Sequence, residues 1–189
     1  MNRSDAWGIV CEFVASDALR KHMLAVEAAM SYYAEKQGED VELWGAVGLI
    51  HDFDYERWPE PPDHTREGAR ILRERGIDEE IVGAMLSHAD WNHDAFPLDR
   101  PVRIALSAVD ELCGFITAVS LVRPTRIEGL EPKSVKKKLK TPAFAASVNR
   151  DDVTRGAELL GISLDEHIAN CIAALRRVAP SLGLLPPVA

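Results

Sequence analysis

Four ionisable side chains stand at positions where the helical periodicity of this chain calls for an aliphatic residue, and they restrict how its helices can meet. His22 shares a stripe with Val26, Ala29 and Tyr33, at i, i+4, i+7 and i+11. His51 and Asp52 end an apolar run carrying Leu43, Val47 and Ile50, and Asp110 lies inside Ile104-Ala105-Leu106-Ser107-Ala108-Val109-Asp110-Glu111-Leu112. Stripes of this period face a core. An unpaired carboxylate buried there costs on the order of several kcal/mol or shifts its pKa until it is neutral. The fold must therefore bring these groups to partners. They can converge on a shared cation, or each can be satisfied separately, the histidines as ordinary core residues and Asp110 by capping or by pairing with Arg103 or Arg123. One His-Asp pair is weak evidence, since a second, His93-Asp94, stands in a polar loop. Four such groups on three helices favour the shared cation.

The rest of the pattern is helical. Ser4 caps a first helix to about Val14, and Ser16 or Asp17 a second to about Gln37, stopped by Gly38. A third runs from about Asp40 to Asp52, with Gly45 and Gly48 permitting close approach of neighbouring helices. Residues 53–63 hold three prolines and form a loop beside His51-Asp52. Asp63 caps a helix bearing His64, Gly68, Ile71 and Leu72, and Asp78 caps the next, with Ile81, Met85 and His88 at period 3.6. After a loop at 89–100, Pro101 begins a long helix to about Arg123. A polar connector, a basic helix at 134–140, helices at about 151–160 and 163–178, and a flexible tail from Pro180 complete the chain. With no β-alternating run and no internal repeat, the expected fold is all-α, a single bundle of about eight helices.

Composition narrows the setting. At 189 residues and 47% hydrophobic, the chain suits one sizeable core. A net charge of −8 argues against general nucleic-acid binding, which needs positive surface to displace counterions. Cys11, Cys113 and Cys171 are odd in number and form no CxxC spacing, which fits a reducing cytosol. The first residues lack a charged region followed by an apolar one, and no apolar run approaches the roughly 18 residues of a membrane span. A cytoplasmic protein without a membrane partner is expected.

The order His22, His51-Asp52, Asp110 resembles the HD-domain superfamily of metal-dependent phosphohydrolases, and His64-Thr-Arg-Glu-Gly68 with His88 resembles its HDIG-type branch. The likeness covers about residues 18–123. It divides a single HD-type domain, 1–189, into a core at 18–123 and a basic and C-terminal helical extension at 124–179. That extension, from Leu121-Val122-Arg123-Pro124 through the basic helix to Phe144-Ala145, is similar to a bacterial group of predicted HD hydrolases of unknown substrate.

The resemblance implies hydrolysis of a phosphate ester or anhydride of a small molecule, with a nucleotide the first expectation, by a metal-activated water. It implies His22, His51, Asp52 and Asp110 as ligands of one divalent ion, and His64 and His88, with Asp52 bridging, as ligands of a second. Asp52, His64 and His88 thereby take the catalytic roles. If one ion is bound, either His64 or His88 is free to donate a proton; if two are bound, both serve as ligands. Nitrogen and carboxylate donors without thiolate suit Mn, Fe, Co or Zn. Family members often continue Ile-Gly-Lys after the His-Asp pair, whereas this chain reads Phe53-Asp54-Tyr55. Substrate binding then falls to Arg57, Arg66 or the basic helix, where Lys136, Lys137 and Lys138 form either a lip for an anion or a solvated helix face. Phe53, Tyr55, Trp58, Trp91 and Phe96 stack on a base or seal the core, and His93 reads as solvent-exposed. Two other classes share these ligands, a di-iron HD-type oxygenase and a non-catalytic metal- or nucleotide-binding module. Oligomeric state is left open.

Overall fold

The two longest helices form the axis of the molecule, which is described for residues 1–187 by a computed structural model. They are α2 (Asp17–Gln37) and α6 (Pro101–Leu121), preceded and separated by α1 (Arg3–Phe13), α3 (Val41–Ile50), α4 (Asp63–Glu74) and α5 (Glu79–Leu86). Then come α7 (Pro132–Leu139), α8 (Arg150–Leu159), α9 (Leu164–Arg177) and α10 (Ala179–Leu182). The fold is all-α, with no strand among the described residues and a single 3-10 turn at Asp90–Asn92. Helix α2 packs on α3, α6, α9 and α10, while α6 also meets α5, α7 and α8.

Local chemistry sets most of the ends. Ser16, Asp40, Asp78 and Ser163 each cap a helix by accepting backbone N–H groups of the first turn. Gly38 ends α2 in the left-handed conformation at φ 73°. Helix α3 crosses α2 closely: a Cβ at position 48 would lie 2.9 Å from the Glu27 backbone, so only glycine fits. This crossing brings the end of α3, and with it His51, under the N-terminal half of α2.

Four features differ from the sequence expectation. Ten α-helices are present among the described residues where about eight were expected; one of the additions is α10, in which Pro180 occupies the first turn, where its missing N–H is harmless, instead of opening a tail. His64 is not helical: it has φ −55° and ψ 136°, and Thr65 follows at φ 68°, so α4 is broken at its start. His88 lies beyond the end of α5, after the cap Ser87. Helix α6 is long and apolar enough to cross a membrane by length and composition, with a mean hydropathy of 1.7, although no such run was expected. Here it supplies the bundle with Ala105, Leu106, Val109, Leu112, Cys113, Phe115 and Ile116, all buried.

Candidate metal centre

His22 on α2, His51 and Asp52 after α3, His64 at the break in α4, His88 after α5 and Asp110 on α6 converge at one point of the bundle. His22 Nε2 lies 2.9 Å from Asp110 Oδ1, and His51 Nε2 lies 3.4 Å from the same oxygen. The two oxygens of Asp52 face different groups. Oδ2 is 3.7 Å from His51 Nε2, while Oδ1 is 3.3 Å from His64 Nε2 and 3.2 Å from His88 Nε2. Donor atoms of His22, His51 and Asp52, and again of Asp52, His64 and His88, lie within 4.8 Å of one another, so Asp52 belongs to both sets. Neither Arg103 nor Arg123 pairs with Asp110: Arg103 binds Asp99, and Arg123 donates to backbone carbonyls and to Thr125.

Hydrogen bonds behind the rings fix which nitrogen faces the centre. His51 Nδ1 donates to the Gly48 carbonyl at 2.8 Å, and His88 Nδ1 to the Met85 carbonyl at 2.5 Å. A carbonyl can only accept, so both rings carry the proton on Nδ1 and present a lone pair on Nε2. His64 does the same through Asp54, whose Oδ1 lies 3.1 Å from Nδ1. Bare imidazole nitrogens then face carboxylate oxygens and one another, with His64 Nε2 and His88 Nε2 only 3.2 Å apart. Acceptors do not attract acceptors. His51 Nε2 is buried and has no hydrogen-bond partner at all. A cation between these atoms resolves the conflict, and a donor set of imidazole and carboxylate without thiolate suits a divalent transition metal.

In the metal-free protein protons take that role. Burial disfavours the His51 imidazolium, but Asp52 and Asp110 outweigh it and push its pKa up to about 9. His64 likewise rises to about 9, burial being outweighed by Asp52 and Asp54. Burial would raise both carboxyls, yet His51 with His64 and His88 holds Asp52 well below the usual range, and His51 with His22 does so for Asp110. The sign of the linkage follows. Raised imidazoles stabilise the fold fully below their unfolded pKa of about 6.5 and lose that contribution as pH rises through 9. Depressed carboxylates contribute above their unfolded pKa of about 4 and lose it toward lower pH. The thermal midpoint of chelator-treated protein should fall between pH 7 and 10; a midpoint flat over that range would contradict this charge arrangement.

Asp54 is a residue the sequence reading passed over. Fully buried, it accepts the Thr65 and Gly68 amides at 2.8 and 2.9 Å as well as facing His64. It pins the break in α4 that aims His64. A Cβ at 68 would lie 2.6 Å from Asp54 Oδ2, which accounts for that glycine. Asn92 completes the brace by donating to Thr65 Oγ1 at 2.9 Å. The signal was present as an extra carboxylate after the His-Asp pair together with a glycine inside an otherwise amphipathic helix.

Above the cluster lies a cavity of about 580 Å³. Tyr55 and Trp91, both nearly half exposed, flank His64, and Asp90, Glu111 and Asp152 add carboxyl groups to the wall. Burial and the Asp110 charge raise Glu111 to about 7. The expected substrate-binding cations are not there. Arg57 lies over the Phe13 ring and donates to the Glu12 carbonyl, and Arg66 pairs with Asp63. Lys136 pairs with Asp165, whereas Lys137 and Lys138 border a separate cavity with Arg123. Arg57, Arg66, Lys136 and Lys138 were each captured by a nearer carboxylate, carbonyl or ring. Phe53 seals the core, and His93 is half-buried, bonded to the Ser87 carbonyl.

A family model described as HD domain matches residues 19–114, just over half of the chain. No curated protein and no solved structure is matched.

Proposed function

The chain belongs to the HD-domain family, and from that premise we propose that it is a metal-dependent phosphohydrolase of the HDIG type, allied to the bacterial group of predicted hydrolases, that cleaves a phosphate ester or anhydride of a small molecule such as a nucleotide. The observation that carries the reading is Asp52, whose two oxygens face two separate sets of imidazole nitrogens, so that it would serve both sets if each held an ion. His22, His51 and Asp110 would complete one ligand set, and His64 and His88 the other.

A divalent ion so held supplies Lewis acidity toward phosphoryl oxygens and lowers the pKa of water. The chain's own residues do the rest. Gly48, Met85 and Asp54 hold the rings by their Nδ1 atoms, so the donor atoms need no reorganisation when a ligand arrives. In hydrolysis the water oxygen forms the new bond to phosphorus, the bond to the leaving oxygen breaks, and that oxygen takes up a proton. With a single ion bound, His64, aimed by Asp54 and edged by Tyr55 and Trp91, is free to give that proton. With two bound, both His64 and His88 act as ligands and the proton comes from water.

Metal analysis of protein purified without chelator, alongside phosphate release from a panel of phosphomonoesters, diesters and nucleotides, tests the reading. Two ions in the wild type and one in His64→Ala and in His88→Ala are expected. Unchanged stoichiometry in both variants would sink the dinuclear assignment. Oxygen uptake by the iron-loaded protein with no phosphate released from any substrate would replace the hydrolase reading with an oxygenase.

A further inference from the structure

The cavity over the cluster is bordered on one side by His22 and Gly114, and the same two residues border a second chamber of about 280 Å³. Ala18, Thr117, Leu121 and Leu182 line it, together with Asp17 and Lys21. Those two charges pair with each other at 2.6 Å, so the chamber offers no net charge. The threshold is low on its α6 side: a Cβ at 114 would find nothing nearer than His22 Nδ1, at 3.8 Å. Thr117 contributes to this lining while its Oγ1 is itself buried, so the chamber wall is apolar there.

Charge limits what can lie across the two spaces. The described lining of the first cavity contains no lysine or arginine, and beyond the ligand carboxylates it carries Asp90, Glu111 and Asp152. A single phosphoryl group would be met at the cluster by an ion held there. A second or third phosphate would stand against carboxyl groups with no side-chain cation to meet it.

We infer that the substrate is a monophosphate ester whose uncharged, largely apolar leaving group passes over Gly114 and lies in the chamber between α2, α6 and α10. The proposal rests on the phosphohydrolase reading and narrows it. A nucleoside monophosphate, or an alkyl or aryl monophosphate, meets these conditions; nucleoside di- and triphosphates do not.

The test is calorimetric titration of the metal-loaded full chain with n-alkylphosphonates from ethyl to hexyl, which lack the scissile ester oxygen. The dissociation constant should fall by up to about fourfold for each methylene added. A terminal carboxylate on the longest chain should weaken binding at least about tenfold. Ala18→Trp adds bulk from an exposed rim position, fills the chamber, and should flatten the length dependence, with metal content measured in parallel. Equal affinity at every length, or a length dependence that survives Ala18→Trp, overturns the chamber assignment alone. A metal-loaded wild type that binds no phosphonate overturns the phosphohydrolase reading and this proposal with it.

Discussion

Asp52→Asn lowers phosphate release by about a thousandfold or more and removes bound metal, while the protein stays folded. The exchange preserves shape and replaces one anionic oxygen by an amide nitrogen, so packing against α3 is retained. What is lost is the shared anion. Oδ1 faces His64 and His88 at 3.3 and 3.2 Å and Oδ2 faces His51 at 3.7 Å, so a neutral amide cannot serve both sides. Several kcal/mol of transition-state stabilisation depend on a correctly placed ion, and each 1.36 kcal/mol is about a factor of ten in rate. Elemental analysis and phosphate release on the same preparation check it. Full metal content with near wild-type turnover would remove Asp52 from the centre.

Asp54→Ala produces the largest loss of stability expected from one substitution near the site, about 3–5 kcal/mol, lowering the thermal midpoint by roughly 10 °C or more. The side chain is fully buried and accepts from the Thr65 amide, the Gly68 amide and His64 Nδ1. Truncation leaves these donors without an acceptor, away from water, and leaves a gap beside Phe53. Thr65 holds φ 68°, a conformation that a β-branched residue adopts only under constraint, and Asp54 and Asn92 supply that constraint. Calorimetric unfolding reads the effect. A change below about 1 kcal/mol would mean that the break in α4 is held by other contacts.

These two aspartates differ in how readable they were. Asp52 stood next to His51 at the end of an apolar helix, and the periodicity of α2 and α6 pointed His22 and Asp110 at the same core, so the gathering of the cluster followed from spacing. Asp54 lay among prolines and aromatics in a segment with no period. Its partners are backbone amides ten or more residues away, which no helical pattern encodes. His64 was assigned to a helix because Asp63 caps one whose stripe runs through Ile71 and Leu72, yet its useful orientation depends on breaking that helix. Arg57, Arg66 and Lys136–Lys138 were matched to an anion by charge alone, and charge is satisfied by whichever carboxylate or ring the fold brings nearest. The wall of Asp90, Glu111 and Asp152 was missed for the same reason, since three separate elements deliver it.

The support beneath Asp110 comes from outside the family match. Gly156 of α8 sits so close to α6 that a Cβ there would lie 2.8 Å from Ala108 Cα, and His167 of α9 donates from Nε2 to the Ala108 carbonyl at 2.9 Å. Tyr33 of α2 bonds the other nitrogen of His167 at 2.7 Å, tying α2, α6 and α9 into one brace two residues before Asp110. Residue 114, where the match ends, falls in the middle of α6. Homology and folding therefore divide this chain differently: the segment matched by the family model carries the His and Asp cluster, while residues beyond it keep Asp110 at its post. Trimming an expression clone to the recognisable segment would cut a core helix in two and remove its clamp.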